Sequence, residues 1–278
     1  PAGLSGTTAP AVVYLTAERQ EEMKRKSQEL EQFLIGVMSE WQGVDCICVS
    51  QRSDADEFDP RFALVLDVYF RRGIPSAEKR EKLFNNPGAF ESTPGTMKDR
   101  FFLEEIPIRV EYKHIPGVQD LVERPLRHLK LIKNAGTYPL YRLLHFKLAY
   151  SRSDWIERMR NMLKHFPDEA WDAFFDSFSA KMEHYLADLG AASVSDNPFF
   201  LLVSKAGFLR FAGASLFMHN HVFEPSHPEY ENNLMQLPCL PANFSALWGG
   251  ILSNNIEVSE FRRFELARVL AREILEIR

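Results

Sequence analysis

The run Phe62-Ala-Leu-Val-Leu-Asp-Val-Tyr-Phe70 constrains the fold of this chain more than any other feature. Side chains along a strand point alternately to opposite faces, and here both faces are apolar except at Asp67. Such a strand belongs inside a sheet covered on both sides. Two further segments read as its neighbours. Residues 44–49 put Cys46 and Cys48 on one face and Ile47 and Val49 on the other. Residues 107–113 alternate Ile108, Val110 and Tyr112 against Arg109, Glu111 and Lys113. A polar loop rich in acids (Asp54, Asp56, Glu57, Asp59) joins the first two strands. Residues 76–84 read as a short helix, and residues 85–98, with Gly88, Pro94 and Gly95, read as a loop.

Helical periodicity frames this sheet. Met23, Leu30, Leu34, Val37 and Trp41 recur at helical steps over residues 17–41, with Thr16 placed to cap the first turn. Beyond Gly117 the pattern is helical almost throughout, with candidates at 138–150, 154–165, 168–189, 198–221, 242–252 and 259–277. Asn197-Pro198 is a helix-start signature. Phe261, Phe264, Leu270, Ile274 and Ile277 trace a stripe on the last helix, and Phe174-Phe175, Phe199-Phe200 and Phe261 read as helical core. The expected class is α+β. A flexible segment (1–16) precedes a mixed-sheet domain (17–116), and a C-terminal helical bundle (117–278) follows.

Composition narrows the function classes. Among 278 residues, 33 lysines and arginines face 38 acids, for a formal charge of -5. A mildly acidic chain is a poor default binder of nucleic acid, which needs a basic face. Three cysteines are too few for a disulfide scaffold and fit a reducing, cytoplasmic setting. The longest apolar runs, such as residues 199–203, fall far short of the ~20 residues of a bilayer span. Residues 1–10 are small and polar, without the basic and apolar regions of a signal peptide.

Asp67 is the most informative single residue. A carboxylate among Leu64, Val65, Leu66 and Val68 loses hydration in a central strand, and a hydrogen bond, cation or metal must offset that loss. The bland alternative places it near a strand end, beside an arginine such as Arg71. Glu111 is the second acid, on a charged strand face that favours exposure. If both acids share a face they can hold one Mg²⁺, which takes one or two carboxylates with water and phosphate oxygens. Arg142 belongs with Arg71, Arg72, Lys147 and Arg210 as a cation suited to an anionic ligand. Cys46-x-Cys48 lacks the second pair of a zinc site, and His219-x-His221 points its rings apart on a helix.

The order long helix, strand ending in Ser50, polar loop, strand with Asp67 and later strand with Glu111 resembles a nucleotidyltransferase fold of the polymerase-beta type. Residues 136–144, 208–225 and 237–244 resemble the helical substrate-side domain of such proteins. The resemblance implies Mg²⁺ held by Asp67 and Glu111, and phosphate touched by Ser50 and Arg142. It also implies transfer of a nucleoside monophosphate to a small acceptor. The family's Gly-Ser pair is Val49-Ser50 here, and the neighbours of Asp67 two residues away are Val65 and Tyr69, not acids. Those departures imply the alternative, a catalytically inactive relative acting as a nucleotide- or small-ligand-binding or regulatory protein.

Overall fold

The computed structural model describes residues 17–50, 63–93, 95, 97–253 and 255–278. Thr16 and the acidic loop residues Asp54, Asp56, Glu57 and Asp59 lie outside the described residues. The chain divides into two compact units: Pro1–His114 with Lys147–Ser153, and Ile115–Phe146 with Asp154–Arg278. The class is α+β, with a mixed sheet in the first unit and helices in the second.

The first unit holds α1 (Ala17–Ser39), β1 (Val44–Val49), β2 (Leu64–Phe70), α2 (Ala77–Leu83), β3 (Gly88–Thr93), β4 (Lys98–Leu103), β5 (Ile106–His114) and β6 (Lys147–Ser151). The six strands form one sheet in the order β3-β4-β5-β2-β1-β6. Among the described residues, only β2 and β5 pair in parallel. Hydrophobic alternation sorts the side chains onto two faces. Leu64, Leu66, Val68 and Phe70 share a core with Ile108, Val110 and Tyr112, with Leu30, Leu34 and Met38 from α1, and with Trp41 just beyond it. Val65, Asp67 and Tyr69 therefore occupy the opposite face, where Cys46 is registered with Tyr69 and Cys48 with Asp67. Cys46, Cys48, Asp67 and Tyr69 are all fully buried, so β2 is indeed buried on both faces. Ser76 caps α2 by accepting from the Lys79 amide.

Two expectations fail within this unit. Residues 88–93 form strand β3 rather than a loop, because they pair with β4 at the edge of the sheet, with Glu91, Ser92 and Thr93 registered with Arg100, Asp99 and Lys98. Residues 147–151 form β6 rather than the end of a helix. Phe146 turns to an extended conformation (ψ 141°), and the next five residues pair with β1.

The second unit holds α3 (Ile115–Glu123), α4 (Leu129–Ala135), α5 (Tyr138–His145), α6 (Trp155–Lys164), α7 (Asp168–Ala192), α8 (Pro198–His219), α9 (His227–Met235), α10 (Phe244–Leu252) and α11 (Glu260–Glu276). Asn197 caps α8 through the Phe200 amide, as its sequence signature implies. By length and composition α8 is apolar enough to cross a membrane, although 44% of its apolar window is buried inside the molecule. It packs on α7 through Phe211, whose ring lies 5.6 Å from Tyr185 and 6.1 Å from Phe178. Gly207 permits that packing, since a Cβ there would stand 2.3 Å from the Tyr185 ring. Phe174 and Phe175 are core residues, but Phe199 is 76% and Phe261 52% exposed. The buried stripe of α11 runs through Arg263, Ala267, Leu270, Ala271 and Ile274, a helical phase that leaves Phe261 outside.

Candidate functional site

The parallel pairing of β2 with β5 places Asp67 directly in register with Glu111. Registered residues of neighbouring strands point to the same face, about 4.8 Å apart along the hydrogen-bonding direction. The two acids are thus side by side, Asp67 0% and Glu111 8% exposed. Neither lies on an open surface.

Each carboxylate has a lysine. Lys113, two residues beyond Glu111 on the same face of β5, brings Nζ to 2.7 Å from Asp67 Oδ2. Its ammonium also stands 5.6 Å from the centre of the Tyr69 ring. Lys98 is registered with Glu111 from β4 and reaches its Oε1 at 3.3 Å. Arg71, the cation foreseen as a partner of Asp67, instead binds Asp45 at 2.6 Å, and Ser153 donates to the other Asp45 oxygen.

One row along the sheet the character changes. The Ser50 amide donates to the Val65 carbonyl at 3.0 Å, extending the β1–β2 ladder by one step. Val65 is registered with Arg109, and Arg109 with Arg100 of β4. Ser50, Val65, Arg109 and Arg100 therefore form a row on the face that carries Asp67. Like charges directly opposite across strands are destabilising, and no ion pair or side-chain hydrogen bond joins either arginine to another of the described residues. Glu91 of β3 is registered with Arg100 on the outer side. Arg142, the other foreseen ligand contact, belongs to the second unit. There it is buried, with its guanidinium 5.6 Å from the Tyr138 ring centre and 5.0 Å from that of Phe146.

The acids do not fit Mg²⁺ as they stand. Among the described residues no group of three metal-ligating side chains comes together. At 4 Å and an effective dielectric near 20, two unit charges interact by about 4 kcal/mol. A divalent ion on Asp67 beside the Lys113 ammonium would meet roughly twice that in repulsion. The arrangement suits an anion better, with Arg109, Arg100 and the Ser50 hydroxyl offering donors in one row.

Two buried polar clusters have no signature in sequence spacing. In the first unit, Asp99 accepts from Arg80 Nε at 2.7 Å, Arg80 Nη2 at 2.8 Å and the Tyr112 hydroxyl at 2.7 Å. In the second, Glu224 accepts from the Thr137 amide at 2.8 Å and from its hydroxyl at 3.2 Å, at the start of α5. Gly136, with φ +77°, makes room, since a Cβ there would come within 2.9 Å of Glu224 Oε2. Burial raises the Glu224 pKa, and the Thr137 hydrogen bonds only partly oppose that shift. A carboxyl whose folded pKa lies above its unfolded value, about 4.3, stabilises most below that value and loses its contribution as pH rises through the folded pKa. Relative to Glu224→Gln, the unmodified chain is expected to lose stability from about pH 4 upward. Urea midpoints of both proteins at pH 4 and pH 7 check this, and a constant gap would contradict it.

No protein-family model matches this chain, and no curated protein is significantly similar to it. Among solved structures, a nucleotidyltransferase-like protein from Exiguobacterium sibiricum is similar over 91% of this chain and 75% of its own, at TM-score 0.48 and 13% identity. The likeness is a distant one of fold.

Proposed function

We propose that this chain is a nucleotidyltransferase-like protein that binds an anionic small ligand, a nucleotide or its phosphate-bearing part, without Mg²⁺-dependent group transfer. The observation that carries the reading is the 2.7 Å contact between Lys113 Nζ and Asp67 Oδ2. A fixed ammonium stands where a catalytic metal would bind, and Lys98 likewise neutralises Glu111. Phosphoryl-group transfer depends on a metal to spread charge over the attacking and leaving oxygens. Binding a phosphate makes no such demand, and the row of Ser50, Arg109 and Arg100 supplies donors for it.

Isothermal titration with ATP tests this reading. The expected result is saturable binding of similar affinity with and without Mg²⁺, weakened about tenfold or more by Arg109→Ala, in keeping with a charge-assisted bond of about 1.5–3 kcal/mol. Binding that requires Mg²⁺ and is lost in Asp67→Asn would restore the catalytic alternative. Absence of binding would reject both.

A further inference from the structure

A second chemically capable cluster lies wholly within the helical unit. His219 and Asn220 end α8 and meet the segment Leu237-Pro-Cys-Leu-Pro241. Asn220 clamps the backbone of Cys239 at two points: its Oδ1 accepts from the Cys239 amide and its Nδ2 donates to the Cys239 carbonyl, both at 2.8 Å. The same Nδ2 also donates to the Leu216 carbonyl at 2.8 Å, which ties the clamp to the helix. The adjacent residue, His219, brings Nε2 to 3.1 Å from Cys239 Sγ. Phe175 of α7 lies beside the imidazole, 6.2 Å between ring centres. Cys239 is exposed, whereas Cys46 and Cys48 are buried.

We infer that Cys239 and His219 form a reactive-thiol site, at which a hydroperoxide oxidises Cys239 to a sulfenic acid with His219 as the proton carrier. A nucleophile within hydrogen-bond reach of a base, with a third group holding the arrangement, is the pattern of an activated side chain. Accessibility together with a neighbouring base makes a thiol selective for oxidation. Burial and the nearby His221 lower the His219 pKa, so its ring is neutral near pH 7 and Nε2 can accept the thiol proton. In the step itself, Sγ attacks the distal peroxide oxygen, the S–O bond forms and the O–O bond breaks. The thiol proton passes to His219 Nε2 and then to the departing oxygen. Sulfur loses two electrons, and the hydroperoxide is reduced to an alcohol, or to water when it is hydrogen peroxide.

The test treats the reduced full chain with hydrogen peroxide at neutral pH, traps sulfenic acid with dimedone and quantifies each cysteine peptide by mass spectrometry. Cys239 is expected to react at least about tenfold faster than free cysteine, a modest share of what a positioned base can supply. Cys46 and Cys48 are expected to stay unmodified. His219→Gln is expected to bring Cys239 down to the free-cysteine rate while leaving the circular dichroism spectrum and urea midpoint unchanged. If that variant shifts either, His219→Asn is read by the same rate comparison. Reaction at the free-cysteine rate in the unmodified chain, or a fast rate indifferent to both variants, would overturn the proposal.

Discussion

Replacing Asp99 by alanine is expected to lower the unfolding free energy by about 3–5 kcal/mol, a large part of the ~5–15 kcal/mol that holds a typical domain. Asp99 is fully buried and accepts both prongs of the Arg80 guanidinium and the Tyr112 hydroxyl. Arg80 donates further to the Pro75 carbonyl at 2.6 Å and to Ser92 Oγ at 2.9 Å, and lies 4.7 Å from the Tyr112 ring centre. Burial alone would lower the Arg80 pKa, but the hydrogen bond and charge of Asp99, with those of Tyr112, raise it instead. Burial, and then Asp99, push the Tyr112 hydroxyl well above the ordinary phenol value. Without Asp99 a buried cation keeps its desolvation cost and loses its counter-charge. The double variant Arg80→Met with Asp99→Leu removes both charges and is expected to recover most of the loss. Urea denaturation of Arg80→Met, Asp99→Leu and the double variant measures the coupling. Additive effects of the single changes would show that the pair does not act as a unit.

Lys113→Met is expected to have an effect of similar size, about 3 kcal/mol or more, because it removes the ammonium balancing the buried Asp67 carboxylate. Two consequences separate this prediction from a mere packing defect. Adding Asp67→Leu to Lys113→Met is expected to restore most of the stability, since no charge then remains to be balanced. MgCl₂ is also expected to raise the melting temperature of Lys113→Met more than that of the unmodified chain, because a cation can enter where the ammonium was. Thermal scans with and without MgCl₂ decide both points. A Lys113→Met protein as stable as the unmodified chain would deny Lys113 its balancing role.

The strands that form the site were legible because their alternation is strong. The doubly apolar run around Asp67 and the clean alternation of Arg109, Glu111 and Lys113 each locate a strand and its faces. What alternation cannot supply is register. Asp67 sits beside Glu111, and Lys113 reaches Asp67, only because β2 and β5 pair in parallel with one particular offset. A shift of one residue would send every side chain to the other face. Short edge strands were hidden for a related reason. Lys147-Leu-Ala-Tyr-Ser151 continues a helical pattern of leucines, and its pairing partner is β1, about a hundred residues earlier. Positive φ at Ala89, 50°, lies within β3, where composition suggested only a turn. The Arg80–Asp99 and Thr137–Glu224 clusters join residues 19 and 87 positions apart, beyond the reach of any local signal.

Manganese titration followed by electron paramagnetic resonance probes the sheet face most directly, because Mn²⁺ takes the same oxygen ligands as Mg²⁺. With the Lys113 ammonium seated on Asp67, the unmodified chain is predicted to show no saturable Mn²⁺ site, whereas Lys113→Met acquires one that Asp67→Asn in the same background abolishes. One tightly bound Mn²⁺ per unmodified chain, lost on Asp67→Asn alone, would contradict the account and return the pair of acids to metal chemistry.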